Sequence, residues 1–145
     1  MEPRMNFYKA SPDAIKAMLA LEARVEASGL EKPLVELVRL RASQLNGCAY
    51  CLDMHTADAL KGGETTRRLA LLPAWRETRL FSEREQAALR WTEAITRVSE
   101  THVPDEDWAA VRPHFSEQEV MDLTLLVIAI NGWNRLAIAF RKLPD

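Results

Sequence analysis

The sequence predicts an all-α protein, on three observations. Helix starts are frequent, helix stops follow them at ordinary helical lengths, and strand signals are nearly absent. Ser11-Pro12 opens a first helix, because proline is pre-organised for the first helical position, and Gly29 closes it. Pro33 opens a second, carrying LVELVRLRASQL, which Asn46-Gly47 ends. A third begins at Cys48 and runs to Lys61, where Gly62-Gly63 stops it. A short helix over 66–72 ends before Pro73. Ser82-Glu83-Arg84-Glu85 and Ser116-Glu117-Gln118-Glu119 fit the capping box, in which Ser and Glu satisfy each other's free amides. These open long helices over 83–100 and 117–141, with a short one near 105–111 between them. The expected architecture is a bundle of about six to seven helices forming a single domain, 1–145.

A chain of 145 residues suits one core, which buries roughly 68–70% of the unfolded surface. Its 19 basic and 21 acidic residues give a formal charge of −2, with no general attraction for phosphate backbones, so no nucleic acid is expected as partner. The start, MEPRMNFYKASPD, lacks the apolar stretch of a secretory signal, and the protein is read as cytoplasmic. The most apolar segment, Leu123 to Asn134, is twelve residues between Asp122 and Arg135, shorter than the ~18 of a membrane span. No membrane partner is expected.

Both cysteines of the chain lie in NGCAYCLDMH, and reducing compartments keep such pairs free for catalysis or metal binding. At spacings of three and four, Cys48, Cys51 and His55 share one face of a helix. In the first turn, free amides and the helix dipole favour a thiolate at Cys48; one turn deeper, Cys51 has His55 within reach as a base. Two thiols filling a core is the bland account. A c-type haem fails because Leu52, not His, follows Cys51. Structural zinc would need a further ligand from His102, His114 or a carboxylate, and no second ligand pair exists. A thioredoxin-like pair would want a preceding strand. A redox-active dithiol on a helical scaffold, with no bound cofactor or metal, is the expectation that remains.

The run ELVRLRASQLNGCAYCLDMH places Glu36 twelve residues before Cys48, with Cys51 and His55 following. It resembles the core signature of the alkylhydroperoxidase AhpD family within the carboxymuconolactone decarboxylase superfamily. The resemblance implies an AhpD-like helical bundle and a peroxidase of peroxiredoxin type. It implies that Cys51 attacks the hydroperoxide, His55 and Glu36 relay its proton, and Cys48 resolves the sulfenic acid into a Cys48–Cys51 disulfide. It also implies a dithiol reductant protein as partner and a homo-oligomer, whether dimer, trimer or hexamer. Tyr50 departs from the family, whose best-characterised members carry histidine before the second cysteine. A carboxymuconolactone decarboxylase-like lyase shares the fold but has no use for a dithiol; a zinc or redox-sensing module without activity is the third reading.

Pattern alone would leave Glu36 on the surface, since Leu34, Val38 and Leu45 mark the buried face of its helix. Only the resemblance brings it to the thiols. His102 and His114 read as surface or capping residues, and Trp75, Trp91, Trp108 and Trp133 as core or interface anchors. The bland account of Trp133-Asn134-Arg135 is a helix turning from buried to exposed; the resemblance implies instead that Asn131 and Arg135 shape an oligomer interface near the thiols. Positions three apart on a regular helix are wider at Cβ than a relaxed disulfide, so a Cys48–Cys51 bridge is expected to tighten the first turn and to be readily reduced.

Overall fold

In the computed structural model, which describes residues 1–145, all regular structure is helical. The order is α1 (Phe7–Ala10), α2 (Pro12–Glu26), α3 (Lys32–Asn46), α4 (Ala49–Lys61), α5 (Thr66–Leu71), a 3₁₀ segment (Leu72–Glu77), α6 (Glu83–Thr96), α7 (Val98–Thr101), α8 (Asp105–Val111) and α9 (Glu117–Phe140). The seven expected helices are all present, and two further single turns raise the count to nine. Asn6 creates α1 by accepting the Lys9 amide through its side chain. The expected helix over 83–100 breaks at Arg97, whose φ of −103° and ψ of 36° leave helical geometry and set off α7. Both serine capping boxes form as the sequence predicts.

α9 is the axis of the bundle, with Leu123, Leu126 and Val127 fully buried and α2, α3, α4 and α6 packed around it. Full burial of such a side chain stabilises by about 1.5–3 kcal/mol, so these contacts dominate the fold. By length and composition α9 could also cross a membrane, and the twelve-residue apolar segment is only its middle. Its buried polar side chains nonetheless find partners inside the bundle: Asp122 pairs with Arg24, and Asn134 bonds Ser43 and Asn46.

α3 is the second buried helix. Leu34, Val35, Leu37, Val38, Leu40 and Ala42 cover most of its circumference, a pattern that belongs to an enclosed helix rather than a surface one. Its charged residues are therefore drawn inside with it. At its end Gly47, at φ 69°, takes the left-handed conformation that closes a helix and turns the chain. Asn46 fastens this turn to α9 by donating to Asn131 Oδ1 and Asn134 Oδ1, each at 2.9 Å. Cys48 is the next residue, so its position is set by α3 and α9.

A candidate thiol active site

Cys48 is the N-cap of α4, not a residue within it: its backbone is extended (φ −87°, ψ 96°) and its sulfur accepts the Cys51 amide at 3.3 Å. The two sulfurs are bonded, with Cα atoms 5.4 Å apart, inside the usual disulfide range. The expected tightening of the first helical turn rested on both cysteines being helical. With Cys48 outside the helix, an extended residue meets a helical one and that argument no longer applies.

Cys51 and His55, one turn apart on α4, are both buried and line the same cavity of about 250 Å³. His55 Nδ1 lies 3.0 Å from Glu36 Oε2, and against a carboxylate the ring nitrogen is the donor. That assigns Nδ1 to α3 and leaves Nε2, without a protein partner, as the nitrogen able to exchange a proton. Glu36 is thus largely buried rather than a surface residue, because α3 is enclosed on nearly every side.

Behind Glu36 stands Arg39, only 7% exposed. Its guanidinium donates to Glu36 Oε1 at 2.7 Å, to Glu26 Oε1 at 2.7 Å, and to Glu22 Oε1. Glu22 also accepts the indole N–H of Trp133 at 3.0 Å, joining α9 to the cluster. Burial alone would raise the Glu36 carboxyl, but the hydrogen bond and charge from His55, together with Arg39, outweigh it and hold the group below its ordinary value. Glu36 is therefore a carboxylate that fixes the His55 ring and its tautomer. Glu36, His55 and Asp58 are also the trio able to hold a cation, with ligand atoms within 4.8 Å of one another. Arg39 already occupies the other oxygen of Glu36, and Asp58 is mostly exposed, which weighs against such use.

The cavity wall is apolar, made by Phe7 and Tyr8 of α1, Leu19 of α2, Met54 of α4, and Ile130 and Trp133 of α9. Its only cation besides histidine is Arg39, already shared among three carboxylates. Sequence reasoning found Cys48, Cys51, His55 and Glu36, and missed Arg39 and the α1 wall. The available signal for Arg39 was its i, i+3 spacing from Glu36, a pair that meets on a helix surface. Of the other singled-out residues, Trp75 and Trp91 are core, whereas Trp108 is 46% exposed. Asn131 is buried within the chain and bonds Thr96, and Arg135 folds back onto it. His102 is the exposed C-cap of α7, as expected, and His114 contributes a backbone carbonyl to Arg84.

An all-helical bundle that holds a Cys-X-X-Cys pair beside a histidine–carboxylate pair defines an AhpD-like protein, and comparisons agree. A sequence model of the carboxymuconolactone decarboxylase family matches residues 12–94, which include all four site residues. The chain belongs to that family. It is 42% identical over 139 residues to the uncharacterized protein YdfG of Bacillus subtilis (strain 168), covering 96% of this chain and 95% of that one. It superposes with TM-score 0.96 and 42% identity on a protein of unknown function from Agrobacterium tumefaciens, a candidate antioxidant defence protein AhpD, covering 99% of both chains. An uncharacterized peroxidase-related protein from Silicibacter sp. TM1040 shares the fold alone, at TM-score 0.82 and 23% identity over 95% of this chain and 73% of that one.

Proposed function

We propose that the protein is a thiol peroxidase that reduces hydroperoxides through Cys51. One observation carries the reading: His55, held by its hydrogen bond to Glu36, lines the same cavity as Cys51, while Cys48 is close enough to bridge that sulfur. In this reading His55 takes the Cys51 proton, the thiolate attacks the outer peroxide oxygen, and the alcohol or water leaves with a proton. Cys48 then attacks the Cys51 sulfenic acid, water departs, and the disulfide stays as the product of oxidation. A dithiol reductant returns both thiols in the reducing environment of the cytoplasm.

The decarboxylase reading is weaker on the same cavity. A lactone acid brings a carboxylate, whereas the wall already holds Glu22 and Glu26, and Arg39 is saturated by its own carboxylates. A neutral, apolar hydroperoxide meets no such opposition. The test is rapid mixing of reduced protein with hydrogen peroxide and with cumene hydroperoxide, following thiol loss. The expected result is one peroxide consumed per subunit, then arrest until a dithiol is added. Thiols that survive a tenfold excess of both peroxides would end the proposal.

The working form is proposed to be a homo-oligomer. Met121, Ile128 and Ile138 on the outer side of α9 are 60%, 49% and 45% exposed, an apolar surface on the most apolar helix. Light scattering at micromolar concentration is expected to give a multiple of 16.5 kDa, and a monomer would refute it.

A further inference from the structure

The disulfide stands between two cavities of opposite character. Cys51, and not Cys48, lines the apolar cavity with Glu22, Glu26 and His55. Cys48, and not Cys51, lines a second cavity of about 380 Å³ on the other side, formed by the N-terminal segment, the start of α4 and the end of α9. Tyr50 and Ala137 belong to both walls and separate them. The second wall carries Arg4, Arg141 and Lys142 and no carboxylate. Two of these cations are held in place: Arg4 donates to the Ala139 carbonyl at 2.8 Å, and Lys142 Nζ lies 4.4 Å from the centroid of the Tyr50 ring.

We infer that this second cavity is the entry for the reductant, a thiol group carried with a negative charge, which attacks Cys48 while the oxidant uses the Cys51 side. The inference rests on the reading of the pair as one that cycles between dithiol and disulfide. Exchange favours attack on the sulfur whose partner leaves best. Attack by a thiolate on Cys48 Sγ breaks the Cys48–Cys51 bond and leaves the electron pair on Cys51 Sγ, the sulfur with His55 one turn away to supply a proton. A second thiolate then attacks the reductant sulfur of the mixed disulfide and releases Cys48. Two electrons enter the protein, the reductant becomes its own disulfide, and its two protons end on the two cysteines. Electrostatics point the same way, since three cations raise the local concentration of an anionic thiol and favour its thiolate. The carboxylates on the Cys51 side repel the same molecule.

The test begins from protein whose bridge has been formed with diamide, so it reads even if peroxide proves not to be the natural oxidant. Failure of peroxide to consume the thiols would overturn the proposed function and leave this inference standing. Loss of the bridge is followed with 2-mercaptoethanesulfonate and with neutral 2-mercaptoethanol, each rate corrected for its thiolate fraction. The Arg141→Glu/Lys142→Glu double variant is expected to slow the sulfonate by about tenfold or more, and to leave the neutral thiol and the peroxide reaction within about twofold. Added salt should slow only the sulfonate with the unaltered protein, which tests the charge effect without relying on the variant's folding. Peptide mapping after acid quench is expected to find the mixed disulfide on Cys48. Adducts on Cys51, or equal salt sensitivity of the two thiols, would overturn the inference.

Discussion

Reduced Cys51→Ser protein is expected to lose peroxide no faster than buffer does, while Cys48→Ser still reacts once and stops at an oxidised Cys51. The two thiols are close in space but not equivalent. Cys48 receives an amide hydrogen bond at the helix start, an effect worth typically about 0.3–1 kcal/mol near a dipole end. Cys51 shares its cavity with His55, and a positioned general base contributes about 10²–10⁴-fold. The second effect outweighs the first, which assigns attack to Cys51 and resolution to Cys48. Trapping with dimedone checks the assignment, since the sulfenic acid should accumulate on Cys51 of the Cys48→Ser protein. A sulfenic acid found on Cys48 in the Cys51→Ser protein, formed at the unaltered rate, would reverse the roles.

His55→Ala is expected to slow thiol oxidation by about 10²–10⁴-fold, and Glu36→Gln by less, because Glu36 acts through the imidazole it orients. The pH dependence follows from the environment of Glu36. Its carboxyl is held below the ordinary value, so protonation that would release His55 requires a lower pH than for an exposed glutamate. The Glu36-dependent part of the rate is thus present above about pH 4.3, the unperturbed value, and is lost as pH falls through the depressed one. Stability contributed by the same group disappears over the same window, for the same sign. Single-turnover rates from about pH 3 to 8, compared with Glu36→Gln, measure this. A His55→Ala rate equal to the unaltered one would contradict the geometry.

The helices were legible where the chain carries its own punctuation. Both Ser-X-X-Glu boxes, Pro12, Pro33 and Gly47 act locally, and local hydrogen bonding decides those boundaries. The break at Arg97 was not legible, because no proline or glycine marks it. Cys48, Cys51 and His55 were legible through spacing on one helix, since periodicity alone brings them together. Glu36 needed the family signature, because its burial depends on α3 being covered by α4, α6 and α9, a tertiary fact that two-sided patterning underestimates. Arg39 failed for the same reason: its partners Glu22 and Glu26 come from another helix, and nothing in the order of residues announces the pairing. The premise of the strained-bridge expectation, a helical Cys48, was off by a single residue, the difference between an N-cap and a first helical position.

Residues 12–94, the part matching the family, contain Cys48, Cys51, His55 and Glu36. Phe7, Tyr8, Ile130, Trp133 and Ala137, which make much of the first cavity's wall, lie on either side of that part, as do Arg4, Arg141 and Lys142 of the second. Reactivity and selectivity are in this way inherited from different stretches of chain. Asn131, Asn134 and Trp133 of the flanking stretch brace the site, but wall residues that make no bond to it can change what the cavity admits without touching the relay. Exchanging those wall residues between two relatives would then transplant a preference while leaving the reaction itself unchanged.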